Sequence, residues 1–301
     1  MLLENAAEVA AVYTKHFRNL IHLQILSVVG FNVGYSLGQI ALVGTGTVLY
    51  LSKHGKKLTV AAAATVGLAL CLLCTIPRAA VAAATQRDLP IYCVQKDSKV
   101  CSLSFDAAWG NEDTQQLIDI LGKYNIKATF FVVGEWVDKF PESVKALHDA
   151  GHEIMNHSDD HPYFTKLTAD QIRAQLDACN SKIEAITGVR PDLFRPPYGD
   201  YNDSVVATVR DCGMFTIQWD VDSLDWKDPA PADITSRVLK RVQPGSIVLF
   251  HNAAKNTPAA LPAVIEGLIQ QGYAMVPVSQ LILRDNYSMD HTGRQIPGTA
   301  S

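Results

Sequence analysis

Short apolar runs and longer amphipathic segments alternate along residues 100–283. The apolar runs are rich in β-branched and aromatic residues, as buried strands are, and the segments between them repeat their apolar positions with a helical period. The pattern predicts strands at 100–105, 128–133, 153–156, 193–194, 215–221, 247–250 and 274–278. It predicts helices at 112–124, from 141, from 168, and at 203–211, 232–242 and 258–271.

The clearest predicted helix begins after Thr168. Thr168 and Gln171 form a capping-box pattern, and Gly188 is typical of the residue that ends a helix. Pro141 and Gly151 mark the start and the end of an earlier helix in the same manner. The apolar face of the later helix is formed by Ile172, Leu176, Cys179, Ile183 and Ile186.

A polar cluster follows directly after five of the predicted strands. Parallel strands of an α/β fold place their carboxyl ends at one side, where ligands bind. An open sheet concentrates its site at one switch point, so we favour a distorted (β/α) barrel of about seven units, with an N-terminal hydrophobic helix before it. The clustered residues are Asp106; His157 and His161; Arg195; Asp222 and Asp225; and His251.

Each cluster has a functional and a structural interpretation. His157 and His161 are four residues apart and can share a divalent ion such as zinc, although an isolated HxxxH pattern also arises by chance on helices. Asp106 ends a buried strand and needs a partner, which Arg195 can supply in a purely structural ion pair as well as in an active site. Taken alone, His251 is also compatible with a satisfied structural histidine.

Two tryptophans accompany the acids of residues 219–226. One acid can orient a histidine, while Trp226 forms an apolar wall. A core tryptophan beside a helix-capping aspartate is the alternative, and it suits Trp219 better than Trp226.

Composition narrows the function classes. The chain has 301 residues, 48% hydrophobic and 19% charged, so it can bury a full core. A net charge of −4 with no basic stripe gives no reason to expect nucleic-acid binding. Six cysteines are too few for a disulfide scaffold. Cys93 and Cys101 flank a turn-like segment, which leaves a disulfide and two buried thiols as alternatives.

The N-terminal region predicts export. Residues 58–76 carry no charge and are long enough to cross a bilayer, and a basic cluster at 53–57 precedes them. With the small residues at 82–84, residues 53–85 read as a signal peptide or membrane anchor. Residues 1–52 form a hydrophobic extension that we interpret as sequence upstream of the true start. We expect the functional domain at 86–283 and a disordered tail at 284–301.

Five motifs together resemble the polysaccharide deacetylase family, also called the NodB-homology domain or carbohydrate esterase family four. The resemblance covers about residues 102–283. The form of residues 105–110 is similar to the branch that includes spore-associated deacetylases. The motifs are Ser104-Phe105-Asp106, His157 to His161, Arg195 to Gly199, Asp222 to Trp226, and Leu249-Phe250-His251.

The resemblance implies a base and a metal site. Asp106 would be the general base that activates water, and Arg195 would orient it. His157 and His161 would hold a divalent ion, with zinc expected, that polarises the acetyl carbonyl.

It also implies an acid and a substrate pocket. His251 would protonate the departing amine, and Asp225 would tune it. The backbone N–H of Tyr198 would stabilise the oxyanion, and Trp226 and Leu249 would line a pocket for the acetyl methyl group.

One position departs from the family pattern. Members usually carry a second aspartate after Asp106, which completes the metal site, whereas this chain has Ala107 and cannot ligate there. Asp106 itself, Asp113 and Asp160 are alternative third ligands that the sequence does not separate.

The resemblance implies an extracytoplasmic N-deacetylase, membrane-anchored or secreted, that acts on N-acetylated amino sugars of a cell-wall glycan, with peptidoglycan the expected substrate. A glycan-binding module that has lost turnover and an O-acetyl esterase are the alternatives. The retained acid and base favour an enzyme over a binder.

Overall fold

The computed structural model describes residues 40–43, 47–50 and 87–298. The chain divides into two compact units, residues 1–85 and 86–301. In the first unit, strands β1 (Ile40–Val43) and β2 (Thr47–Tyr50) pair antiparallel. The predicted hydrophobic helix and the signal or anchor segment at 53–85 lie outside the described residues. None of the helices in the described part of the chain combines the length and apolar character needed to span a bilayer.

The second unit is built on a parallel sheet. The strands of this unit are β3 (Cys93–Val94), β4 (Val100–Ala107), β5 (Thr129–Val132), β6 (Glu153–Asn156), β7 (Leu193–Phe194), β8 (Phe215–Thr216), β9 (Val221–Asp222), β10 (Ile247–His251), β11 (Ala274–Met275), β12 (Tyr287–Met289) and β13 (Arg294–Pro297). The hydrogen-bonded order of the parallel sheet is β8-β7-β6-β5-β4-β10-β9, and β11 pairs with the beginning of β4, its longest strand.

The sheet curls into a distorted barrel, as predicted. Strands β8 and β9 are the two ends of the order, yet only four residues separate them in the chain. Five extended residue steps reach at most about 18 Å, whereas a flat sheet would separate its first and seventh strands by about 29 Å. The link between them is therefore short enough only because the sheet bends round.

This link also corrects one predicted element. Residues 215–221 were expected to form one strand, but they form β8 and β9 on opposite edges of the sheet. The chain leaves β8 where Gln218 donates its N–H to the carbonyl of Ile91 at 2.7 Å. Asp220 then accepts hydrogen bonds from Ser246 and Ile247, at the start of β10. The run looks continuous in the sequence, but hydrogen bonds to residues distant in sequence divide it into two strands.

Helices cover the outside of the sheet. The capping box of Thr168 and Gln171 is present at the start of α4 (Ala169–Thr187), and Gly188 ends that helix at φ 72°. The helices are α1 (Thr114–Lys123), α2 (Gly134–Lys139), α3 (Pro141–Asp149), α4 (Ala169–Thr187), α5 (Asp203–Asp211), α6 (Pro231–Arg241), α7 (Thr257–Gln270) and α8 (Val278–Leu281).

Side chains along β4 alternate between the hydrophobic core and the candidate site. Phe105 is fully buried and stacks on Phe130 and Phe250, with ring centroids 4.8 Å and 5.4 Å apart. Ala107 belongs to the same hydrophobic cluster. Because successive side chains of a strand point to opposite faces, Ser104 and Asp106 lie on the other face, toward the barrel interior.

The prediction of a disordered tail is wrong for residues 284–298. Strands β12 and β13 form an antiparallel pair, and β13 adds to β3. The Asp290 carboxylate accepts the N–H groups of Thr292 and Arg294, which closes the turn. The buried Gln295 side chain exchanges two hydrogen bonds with the backbone of Leu283. The polar composition of this segment concealed partners that only the fold supplies.

Cys93 and Cys101 are both free and buried, so the disulfide alternative is wrong and the thiol alternative holds. Cys93 pairs with Ser246, which precedes β10, and the following residue of β10, Ile247, pairs with Ser102. The backbone at Ser246 therefore lies between the two cysteines, where the sequence suggested a direct hairpin.

Candidate active site

A cavity of about 440 Å³ lies at the carboxyl ends of the parallel strands. Every predicted site residue lines it except Arg195 and Asp225, which are completely buried. The residues that the sequence pattern predicted therefore lie together at one site in the structure. The lining residues are Asp106, Ala108, Trp109, His157, His161, Tyr198, Trp219, Asp222, Trp226, Leu249 and His251.

Asp106 is held by a buried guanidinium. Arg195 donates from Nη1 to Asp106 Oδ1 at 2.7 Å and from Nη2 to Ser104 Oγ at 2.9 Å. The guanidinium also lies over the ring of Phe131, 4.1 Å from its centroid. Burial alone would raise the pKa of Asp106, but the charge of Arg195, together with that of His251 and the hydrogen bond from Arg195, outweighs it and lowers that pKa. Asp106 is therefore ionised and fixed in orientation.

His157 has a defined tautomer. Its Nδ1 lies 2.7 Å from the carbonyl oxygen of Arg195, which can only accept, so Nδ1 carries the proton. The other ring nitrogen, Nε2, is 3.5 Å from Asp106 Oδ2. Burial lowers the pKa of His157 against the opposing effect of Asp106, so its ring is neutral. An unprotonated Nε2 thus faces Asp106.

The loop from His157 to His161 is tightly braced. Asn156 accepts the N–H of Ser158 at 2.7 Å and donates to the side chain of Asn180 and to the backbone of α4. Ser158 and His161 both adopt positive φ, at 71° and 60°. The two histidine rings lie edge to face with centroids 5.0 Å apart. Burial and the neighbouring His157 lower the pKa of His161 to about 4.

Tyr198 lies in a strained turn at the edge of the cavity. Its φ is 60°, and the turn Pro197–Gly199 uses the N–H groups of Gly199 and Asp200 for its own hydrogen bonds. The N–H of Tyr198 takes no part in that pattern and is available to a ligand. A non-glycine residue held at positive φ carries a conformational cost that other contacts must offset. The ring of Tyr198 stacks on Tyr163 at 4.3 Å.

His251 is paired with a fully buried carboxylate. Its Nδ1 lies 2.8 Å from Asp225 Oδ1, and its backbone N–H donates to Asp225 Oδ2 at 2.8 Å. Thr257 also donates to Oδ2, at 2.6 Å. Burial would lower the pKa of His251, but the hydrogen bond and the charge of Asp225, aided by Asp106, raise it overall. Since β4 and β10 pair with His251 opposite Asp106, a candidate acid and a candidate base are neighbours in the sheet.

The apolar wall contains both predicted residues and Trp109, which the sequence interpretation missed. Leu249 is almost fully buried and Trp226 is 48% exposed, and both line the cavity. Trp109, in the loop after β4, stacks on the His251 ring at a centroid distance of 5.4 Å. Asp222 also lines the cavity and accepts the N–H of Leu224. The motif at 105–110 contained Trp109, but its stacking on a residue 142 positions later could not be read from spacing.

The side chains present do not fit a three-ligand metal site. The described residues contain no group of three or more His, Cys, Asp or Glu side chains that could hold an ion. Ala107 lies in the core and Asp106 is bound to Arg195. Asp113 accepts the N–H of Ala253 and lies outside the cavity lining, and Asp160 is exposed. Neither proposed substitute ligand joins the two histidines.

Comparison with known proteins agrees with the motif order. A family model described as polysaccharide deacetylase matches residues 94–217. The uncharacterized protein YlxY of Bacillus subtilis is 38% identical over 193 residues, which cover 64% of this chain and 60% of YlxY. The chain therefore matches less than two thirds of YlxY's own length. Peptidoglycan-N-acetylmuramic acid deacetylase PdaA of the same organism is 35% identical, with 61% of this chain and 72% of PdaA covered.

A solved structure of a CE4 family pseudoenzyme from Bacillus anthracis is 40% identical, with a TM-score of 0.62. The match covers 64% of this chain and 69% of that one. A mutant of that pseudoenzyme is described as having restored enzymatic activity. The similarity to the spore-associated branch remains a prediction. The fold, the five motifs and these identities show that the chain belongs to the polysaccharide deacetylase family, carbohydrate esterase family four.

Proposed function

We propose that the protein removes acetyl groups from N-acetylated amino sugars of a cell-wall glycan, with peptidoglycan as the substrate. The observation that carries this proposal is that two adjacent strands each place one oriented titratable group in the cavity. Asp106 is held by Arg195, and His251 is held by Asp225. One group has its pKa lowered and the other has it raised. Amide hydrolysis needs this combination, a base for water and an acid for the leaving nitrogen.

Asp106 is suited to the base role because its free oxygen faces the cavity. Oδ1 is bound by Arg195, which leaves Oδ2 to accept a proton from water. The fixed guanidinium keeps the carboxylate ionised and prevents it from rotating away. The neutral His157 presents Nε2 to Asp106 Oδ2 at 3.5 Å, and the ring of His161 lies beside that of His157.

The acid role falls to His251. The Nδ1–H group donates to Asp225, so the Nε2–H of the imidazolium can give its proton to the departing amine. The N–H of Tyr198 would donate to the oxygen that becomes negative when water attacks the acetyl carbon. Trp226 and Leu249 would hold the methyl group.

A divalent ion, with zinc expected, and an extracytoplasmic location, membrane-anchored or secreted, are the finer parts of the proposal. They rest on the family's chemistry and on the hydrophobic sequence before residue 86. An ion at His157 and His161 would need its remaining donors from water or substrate, because the described residues supply no third ligand.

A glycan-binding protein without turnover is the second candidate. Ala107 in place of an acid, and the similarity to a solved CE4 pseudoenzyme, favour it specifically. Both candidates use the same cavity, so binding of a glycan does not separate them, whereas release of acetate does.

The test incubates the full-length protein with N-acetylglucosamine oligomers and with peptidoglycan, with and without chelator, and measures released acetate. We expect acetate that is lost in His157→Ala and kept in His148→Ala, a histidine on α3 outside the cavity lining. Loss with chelator would support the ion. Binding without acetate would select the second candidate, and release from O-acetylated xylan alone would indicate an esterase.

His251→Ala distinguishes acid catalysis from a structural role. An alkoxide leaves more readily than an amine anion, so the variant should lose more activity on N-acetyl substrates than on O-acetyl substrates. Equal losses on both would count against His251 as the acid.

A further inference from the structure

Trp109 exposes a large apolar surface that folding does not require. The side chain is 52% exposed at the edge of the cavity, in the loop that follows β4. Its nearest aromatic partner is the imidazole of His251, which lies nearly parallel to it at 27°. A half-exposed tryptophan at a cavity edge is typical of a residue that contacts a ligand.

The backbone on both sides of Trp109 is held by hydrogen bonds. Ala108 donates its N–H to the side chain of Asn252 at 3.2 Å, and Gly110 accepts from Asn252 and from the buried Trp136. Asn252 directly follows His251, so the same residue ties the tryptophan loop to the strand that carries the candidate acid. The backbone that carries the exposed indole is therefore held in place before any ligand arrives, which reduces the entropic cost of binding on it.

The chemistry of the proposed reaction determines which part of a substrate reaches Trp109. The leaving nitrogen must come within hydrogen-bond distance of the His251 ring, and in an N-acetylated amino sugar that nitrogen is bonded directly to a pyranose carbon. The pyranose ring therefore lies next to the imidazole, on the side away from the acetyl methyl pocket. Trp109 is the aromatic surface beside that imidazole.

We propose that Trp109 is the binding platform for the pyranose ring that carries the reacting N-acetyl group. The C–H bonds of the apolar sugar face would lie against the negative face of the indole. The platform would favour glycan amides over small acetylated amines that lack a ring. This inference rests on the proposed function, since it uses the position of the leaving nitrogen.

The test measures binding of the N-acetylglucosamine tetramer by calorimetry in full-length Asp106→Asn, which keeps an oxygen for Arg195 but has no base. Adding Trp109→Ala should raise Kd about tenfold, which is about 1.4 kcal/mol. Trp109→Phe should have a smaller effect because it keeps an aromatic face. Ile269→Ala, an equally exposed apolar residue on α7, should leave Kd unchanged. Thermal melting checks that each variant is folded.

An unchanged Kd in Trp109→Ala, or no measurable binding of the tetramer at millimolar concentration by the reference protein, would overturn the inference. Acetate release by the protein without substitutions is measured in parallel. A tenfold change in Kd without any acetate would support the platform and reject the hydrolytic function. Acetate release with an unchanged Kd would reject the platform alone.

Discussion

The pairing of His251 with Asp225 makes the pH profile of the reaction predictable. The raised pKa of His251 keeps its imidazolium form to higher pH than that of an ordinary histidine, whose value is 6.5. Asp225→Asn removes the neighbouring charge. We therefore expect the pKa of His251 to fall, and the alkaline limb of kcat/KM, where the acid is lost, to move to lower pH.

The magnitude follows from the geometry. With Nδ1 and Oδ1 2.8 Å apart, the charge centres lie at about 4 Å, and an effective dielectric constant of about 20 gives about 4 kcal/mol. This energy is an upper limit on the effect, because the asparagine oxygen still accepts from Nδ1–H and Asp106 continues to favour the charged form, so the pKa of His251 should fall by only part of what it allows.

Two measurements check this prediction. NMR titration of the His251 ring reports its pKa without turnover, and the pH dependence of acetate release reports the catalytic group. Thr257→Val is the matched control, because it removes a hydrogen bond to Asp225 Oδ2 but keeps the charge. Its shift should be much smaller. An alkaline limb that stays in place or moves upward in Asp225→Asn would refute His251 as the acid paired with Asp225.

The same pKa shift links His251 to stability. Since its pKa is raised in the folded state, its contribution is fully present below about pH 6.5 and is lost as pH rises through the folded value. In Asp225→Asn, unfolding by urea should therefore show less stability at low pH than in the unsubstituted protein, and the difference should shrink toward high pH. A difference that does not change with pH would mean that the substitution acts through hydrogen bonding alone.

Three further substitutions follow from the buried polar groups, each measured by urea unfolding. Arg195→Met leaves Asp106 buried without its cation and should cost about 3–5 kcal/mol, with most of it recovered when Asp106→Asn is added; additive costs would contradict a coupled pair. Asn156→Ala removes the bonds that hold the histidine loop and should cost about 1–3 kcal/mol, together with faster amide exchange at Ser158. Gln295→Ala should cost about 1–3 kcal/mol if the C-terminal hairpin belongs to the cooperative fold, and no change would place it outside.

Much of the fold and site could be predicted because the evidence was local. The helix that begins at Thr168 carries its cap, its apolar face and its terminating glycine within one segment, and the structure reproduces all three. The polar clusters were predictable for a related reason. Strand direction alone places residues at the ends of parallel strands on one side, so Asp106, His157 and His251 meet without any knowledge of the barrel's closure.

What the sequence could not supply depended on partners far along the chain. The run at 215–221 is divided because Gln218 bonds to Ile91 and Asp220 bonds to residues 246 and 247. The polar tail is ordered because Gln295 finds Leu283 and β13 finds β3. Trp109 acquires its position from His251 and Asn252. Composition and hydrophobic period describe one segment at a time, whereas each of these contacts joins two different segments.

Ala107 shows how strand geometry limits what a single substitution can change. Residues 106 and 107 are consecutive in β4, and Ala107 pairs in register with Val132 and accepts the N–H of Val133 through its carbonyl. Alternation therefore directs the Asp106 side chain to the histidines and the Ala107 side chain to the cluster of Phe105. A carboxylate placed at 107 on this backbone would enter the hydrophobic core, where an unpaired charge is strongly disfavoured. For such a carboxylate to reach His157 and His161, residue 107, the last of β4, would have to leave its pairing with β5. The third ligand is therefore missing because of the backbone at the end of β4 as well as because residue 107 is alanine.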